Sequence, residues 1–172
     1  MQEEWDEKIR LEKLAKEDLL KKQEEERLEE ERQKAKSDKD EFLRKFETKV
    51  IFDGIHTLVP CTLGYKKKEI EVYLLMDTGC TVTAIHEQAA KKLKFRGTIK
   101  TKAKLAGGQI VNSKMGKLSY FKVGPYKIED FYVDVMKYKG PKSQYDGLLG
   151  MDFLAGRKYN IDYLRRVIRW VP

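Results

Sequence analysis

The segment Leu74-Leu75-Met76-Asp77-Thr78-Gly79-Cys80-Thr81 holds the residues of this chain best suited to chemistry. An apolar run reads as a buried strand, and it carries one carboxylate into an Asp-Thr-Gly turn. A charge at the end of a buried strand is costly unless it is paired or hydrogen-bonded. Thr78 supplies a hydroxyl for that purpose, and Gly79 lets backbone approach closely. In a homodimer two copies of Asp77 would face each other and share one proton, giving one base and one acid. The competing reading is an ordinary turn aspartate that accepts backbone N–H bonds. The tripeptide alone does not choose, so its context must.

The elements that would position Asp77 lie after residue 48. Strands are predicted over Lys49–Phe52 and Ile55–Leu63, with an Asp53-Gly54 turn between them, and over Glu69–Met76 after a turn at 64–68. Ile85–Leu93 reads as a short helix with Thr83 as its cap. Further strands are predicted over Thr98–Leu105, Ile110–Ser113, Gly116–Val123 and Lys127–Met136, with turns at Gly107-Gly108 and Gly124-Pro125. A polar loop, Lys139–Tyr145, leads to Asp146-Gly147-Leu148-Leu149-Gly150-Met151-Asp152-Phe153-Leu154. Strands over Lys158–Asp162 and Val167–Val171 close the chain. Many short strands at regular turn spacing indicate a mainly β fold, a small closed barrel-like lobe with one short helix.

Residues 1–48 are a different material. They carry 13 Lys/Arg and 17 Asp/Glu, whereas residues 49–172 carry 23 and 11. No Gly or Pro interrupts them, and good helix formers dominate. Glu-to-Lys pairs such as Glu12/Lys16 and Glu17/Lys21 support a long helix. Ser37-Asp38-Lys39-Asp40 is placed to cap a second, shorter helix. One heptad column reads Leu14, Lys21, Leu28, Ala35, Phe42, and its partner column is mostly charged. A weak dimeric coiled coil, a solvated single helix and a disordered tail all fit that seam. The expected organisation is a charged helical or coiled-coil segment, 1–48, and a β domain, 49–172.

The context of Asp77 has a fixed order: a hairpin leading to an apolar strand, Asp-Thr-Gly, a Gly-tipped hairpin (Leu105-Ala106-Gly107-Gly108-Gln109-Ile110), and Leu148-Leu149-Gly150 followed by Met151-Asp152-Phe153-Leu154. This order resembles the retropepsin-like (clan AA) aspartic protease family, in particular its bacterial single-domain members. The resemblance covers about residues 49–172. It implies that Asp77 is the catalytic aspartate, one from each subunit, with Thr78 making cross-dimer hydroxyl bonds and Gly79 bringing its N–H to the carboxylate. It implies that Gly107 and Gly108, flanked by Ala106 and Gln109, tip a flap over an extended peptide. It also implies that Leu148, Leu149 and Gly150 form an apolar wall beneath the catalytic loop. The activity so implied is that of an aspartic endopeptidase acting as a homodimer. A catalytically silent dimerisation or peptide-binding module is the alternative, and a scaffold whose function lies in residues 1–48 is a second.

The remaining candidates have plainer readings. Gly107-Gly108 also suits a simple hairpin turn, and Asp146 and Asp152 read as loop or helix-cap residues. His56 and His86 lack metal-ligand spacing, so no metal and no cofactor is expected. Cys61 reads as a small buried strand residue, and no disulfide to Cys80 is predicted. Cys80 departs from the Ala or Ser usual after Asp-Thr-Gly; it is either an isosteric replacement or a redox lever. The lysines of the basic half are scattered (66–68, 91–94, 100–104, 137–142), which reads as a solvated surface with no nucleic-acid partner. The expected partners are a second copy of the chain and an extended peptide. No run reaches membrane-spanning length; a charged helix directly after Met1 reads as the start of a fragment, and any membrane contact would come from an upstream segment. Compartment stays unassigned, periplasmic or membrane-anchored in a bacterium if the chain is such a fragment. Phe46, Val50, Ile51 and Phe52, where the two materials join, suit self-processing by a cleft with apolar walls.

Overall fold

The computed structural model describes residues 1–104, 108–138 and 143–172, without the side chains of residues 2–4, 6 and 104. Contacts divide the chain into two units, Met1–Arg44 and Lys45–Pro172. The first is one helix, α1 (Gln2–Arg44), roughly 65 Å long at about 1.5 Å per residue. The break expected at Ser37–Asp40 does not occur. These residues are exposed, where their side chains meet water instead of competing for backbone groups. Leu11, Leu14, Leu19, Leu20 and Leu28 are exposed as well, so no apolar stripe is covered in the single chain. Among the described residues, local pairs such as Arg27 Nε with Glu31 Oε1 at 3.8 Å support the helix. No helix among the described residues is long and apolar enough to cross a membrane.

The second unit is mainly β. Its strands are β1 (Glu47–Lys49), β2 (Ile51–Asp53), β3 (His56–Tyr65), β4 (Lys68–Met76), β5 (Ala84–His86), β6 (Ile99–Lys104), β7 (Ile110–Lys117), β8 (Tyr120–Val123), β9 (Tyr126–Glu129), β10 (Tyr132–Met136), β11 (Gly147–Leu149), β12 (Tyr159–Asp162) and β13 (Val167–Trp170). The main sheet runs β6-β7-β10-β5-β11-β4-β3-β8-β9, with β2 added on β3, and a second sheet runs β1-β13-β12. Two short helices interrupt the strands, α2 (Glu87–Leu93) and α3 (Met151–Leu154).

Several boundaries differ from the expected ones. Ile85 and His86 are the end of a strand, not the start of a helix, because Ala84–His86 pairs with both β10 and β11. His86 therefore precedes α2, and Thr83 does not cap it. The continuous strand expected over Lys127–Met136 is broken at Asp130, which takes a left-handed φ of 55°. Gly116–Val123 is likewise split, with Leu118 and Ser119 between β7 and β8.

The core joins the two sheets through aromatic side chains. Phe121 meets Phe153 edge-on at 5.6 Å, and Phe153 meets Trp170 at 5.9 Å and 88°. Trp170 is buried, and its ring N–H donates to Thr48 Oγ1 at 2.8 Å, which satisfies the one polar group it brings inside. Phe153, the third residue of α3, thus pins the segment after β11 into the core.

Candidate active site

β4 ends at Met76, and the chain turns through Asp77-Thr78-Gly79-Cys80 toward β5. β11 lies between these two strands, parallel to β4 with Leu148 opposite Leu75, and antiparallel to β5 with Leu148 opposite Ala84. A strand made late in the sequence therefore passes through the loop that carries Asp77. The passage needs glycines. A Cβ on Gly147 would stand 2.1 Å from the Ala84 carbonyl oxygen, and one on Gly150 would stand 2.8 Å from the Val82 carbonyl carbon.

Hydrogen bonds then fix the loop residue by residue. The Asp77 N–H donates to the Leu149 carbonyl at 3.0 Å, and the Cys80 N–H donates to the Asp77 carbonyl at 3.2 Å. From the other side, the Met151 and Asp152 N–H groups donate to the Cys80 and Thr81 carbonyls at 2.8 and 3.0 Å. Thr83, fully buried, closes the loop: its N–H and O–H donate to the two carboxylate oxygens of Asp152 at 2.9 and 2.6 Å, and its oxygen accepts from Gly150 N–H at 3.1 Å. Thr83 and Asp152, read from sequence as caps, are thus the clasp of the loop. Only the Asp-Phe-Leu context after Leu-Leu-Gly hinted at this, since a carboxylate three residues past a buried strand can reach back to the loop above it.

At the tip, the Gly79 N–H donates to Asp77 Oδ1 at 2.9 Å. Asp77 is half-buried, and Thr78 and Gly79 are exposed. A groove of about 400 Å³ beside them is lined by Ile55, His56, Leu75, Met76, Asp77, Thr78 and Ile161, among others. Leu149 and Gly150 are buried and Leu148 is half-buried. Gly108 takes a left-handed φ of 81° and Gln109 is exposed next to β7; Ala106 and Gly107 lie outside the described residues. β6 and β7 are paired from Ile99 opposite Met115 to Lys104 opposite Ile110.

The other candidates fall elsewhere or act differently. Both cysteines are free. Burial pushes the Cys61 thiol far above its ordinary range. Burial first, then the negative charge of Asp77, Asp152 and Asp134, also raises the Cys80 thiol, although its hydrogen bond to the Val82 carbonyl at 3.0 Å opposes the shift. Cys80 therefore stays a protonated donor beside the aspartate. His86 is buried, stacks on Tyr138 at 4.7 Å and meets Tyr145 at 5.7 Å. Burial lowers its pKa, with the Asp146 carboxylate pulling the other way. Asp146 extends the sheet: its carboxylate accepts from the Tyr73 N–H at 3.0 Å, and its own N–H donates to the Tyr73 carbonyl at 2.7 Å. Among the described residues no group of three His, Cys, Asp or Glu is arranged to hold a metal.

The loop thus presents a single half-buried carboxylate, Asp77, followed by Thr78 and Gly79, at the tip of a threaded turn. The family model described as aspartyl protease matches residues 59–153, more than half of the chain and the whole of this loop with its threading strand. The chain belongs to that family. No curated protein matches it in sequence. Among solved structures it is similar to a retropepsin-like aspartic protease from Rickettsia conorii, with 20% identity, 72% of this chain and 86% of that chain covered, and a TM-score of 0.49.

Proposed function

We propose that the chain is an aspartic endopeptidase that works as a homodimer, with one Asp77 from each copy forming the active site. The observation that carries this reading is the tip itself: one half-buried carboxylate, oriented by the Gly79 N–H, on a loop that β11 and α3 tie down at the Asp77 N–H, at the Cys80 and Thr81 carbonyls and at Thr83. One copy supplies one such carboxylate, and the chemistry needs two. The same unit also exposes apolar side chains. Ile55, which shares the groove of Asp77, is 96% exposed, and Leu164 is 98% exposed. Tyr163 stacks on Phe52 at 5.0 Å and is exposed as well. Covering such side chains is what a second copy would do.

In the dimer two carboxylates a few ångströms apart cannot both ionise, so they hold one proton between them. The ionised one takes a proton from a water as that water attacks the scissile carbonyl carbon. The protonated one donates to the carbonyl oxygen, and collapse of the tetrahedral intermediate passes a proton to the leaving amine. Thr78 from each copy would bond across the dyad, and the β6–β7 tip with Ala106, Gly107, Gly108 and Gln109 would close over an extended peptide. The closed barrel lobe from about residue 49 onward and a coiled coil of two α1 helices, tethered by the dimer, are parts of the same proposal.

Asp77→Asn tests it. Peptidase activity on an unstructured protein is expected to disappear while the variant stays folded and dimeric. A folded variant that keeps wild-type turnover refutes the assignment. A wild-type chain without peptidase activity, yet dimeric, would leave the silent module as the reading. A fully active monomer would refute the shared dyad.

A further inference from the structure

The fold gathers what the sequence scatters. Between α2 and the β6–β7 hairpin lies a cleft of about 1180 Å³. Its lining includes Lys91, Lys94, Arg96, Lys100, Lys114 and Lys137, and Glu87 is its one acid. All six cations are exposed. Among the described residues none of them has a carboxylate within ion-pair distance, whereas Lys117, Lys127, Arg165 and Arg169 elsewhere on the same unit all do. The nearest acid along the sheet, Asp134 on β10, is occupied by the hydroxyls of Thr101 and Ser113 at 2.9 and 3.0 Å.

This arrangement costs stability. Lys100 and Lys114 are direct cross-strand partners, and like charges in that position destabilise a strand pair. Lys91 and Lys94 at the end of α2 gain something from its carbonyl groups. Arg96, Lys100, Lys114 and Lys137 gain nothing of the kind. The backbone beneath them is rigid: a Cβ on Gly97 would stand 2.4 Å from the Lys114 carbonyl oxygen, and the Thr98 N–H donates to the Met115 carbonyl at 2.9 Å. The charges are thus held together on a fixed floor, against their mutual repulsion.

We propose that this cleft is an exosite that holds an acidic segment of the protein substrate, away from the scissile bond. The proposal rests on the endopeptidase reading for its substrate class and adds where, and by what charge, that substrate is held. Six unpaired cations complement a run of carboxylates. A polypeptide fits better than a nucleic acid, because the one aromatic residue of the cleft, Phe95, is buried and offers no face on which bases could stack. The cleft is built on the hairpin whose tip would close over the peptide. The six residues of β6 span roughly 20 Å, and a linker of about ten residues reaches that far with slack. One substrate chain can therefore occupy both places, so that binding at the cleft raises the local concentration of the scissile segment.

The test uses the full chain and two probes. The first is a fluorescein-labelled hexaglutamate peptide, titrated by anisotropy into Asp77→Asn at low ionic strength, a measurement that needs no turnover. Lys91→Glu/Lys94→Glu/Lys114→Glu in that background is expected to weaken binding at least tenfold. A control of equal charge change, Lys67→Glu/Lys68→Glu/Lys122→Glu, is expected to leave it within twofold. The second probe is a cleavable peptide with and without a hexaglutamate tail on a ten-residue flexible linker. The tail is expected to lower KM about tenfold with kcat unchanged, and about 0.15 M salt should erase most of the gain. No binding of hexaglutamate, equal loss in the control variant, or tenfold tighter binding of a single-stranded 12-nucleotide DNA would each overturn the proposal. Intact hexaglutamate binding by a chain that cleaves nothing would instead overturn the endopeptidase reading.

Discussion

Replacing Asp152 with alanine is expected to destabilise the β unit by about 3 kcal/mol, although Asp152 itself is exposed. Its carboxylate reaches inward and accepts both the N–H and the O–H of Thr83, a residue with no solvent contact. Removing it leaves two buried donors without an acceptor, at about 1–3 kcal/mol each. Water entering from the exposed side recovers part of that, which sets the estimate in the lower half of the range. Asp152→Asn keeps one acceptor and points an amide at the second donor, so about half the loss is expected. Thr83→Val removes the hydroxyl and orphans the Gly150 N–H, and because both changes break the same bond the double variant should fall short of the sum by more than 1 kcal/mol. Urea unfolding of the full chain, followed through Trp170 fluorescence in a Trp5→Phe background, reads this directly. Trp170 is buried in the β core, whereas Trp5 is exposed on α1. A loss under about 1 kcal/mol for Asp152→Ala, or additivity with Thr83→Val, would refute the clasp.

Three further outcomes are expected. Gly150→Ala meets no backbone-angle barrier, with φ at −93°, but its Cβ would press on the Val82 and Cys80 backbone; a loss of about 1–3 kcal/mol and of most activity is expected, and wild-type turnover would contradict the threading. Burial holds His86 below its ordinary pKa of 6.5, so the folded state favours the neutral ring. Its contribution is complete above about pH 6.5 and declines as pH falls below that value, where the unfolded chain takes up a proton first. Urea midpoints should fall less from pH 7 to 5 in His86→Phe than in wild type; parallel curves would remove His86 as the cause. Cys80 is raised by burial and by nearby carboxylates, which suppresses the thiolate that peroxide attacks. Wild type and Cys80→Ala should therefore lose activity to peroxide at the same rate, and selective protection by Cys80→Ala would restore the redox reading.

Much of the framework was legible because its signals are local. Apolar alternation and Gly-containing turns placed β3, β4, β12 and β13, and the pairing of Asp-Thr-Gly with Leu-Leu-Gly identified the loop and its threading strand. The break at Asp130, which rests on a left-handed non-glycine residue, carries no such flag. Thr83 was misread for a different reason: a Thr before a helical stretch is a good cap by local rules, and only the return of Asp152 from 69 residues away gives it another partner. The basic cleft was illegible for the same reason, since its lysines come from α2, β6, β7 and the end of β10 and meet only in the fold.

The threading of β11 through the Asp77 loop also sets an order in time. Closing a chain segment of 69 residues costs roughly 4 kcal/mol in loop entropy, and nothing repays that until Gly147–Asp152 exist to be bonded. The aspartate is synthesised well before the strand that shapes its loop, so a growing chain carries the residue without the site. The loop around Asp77 can take its shape only after Gly147–Asp152 have been made.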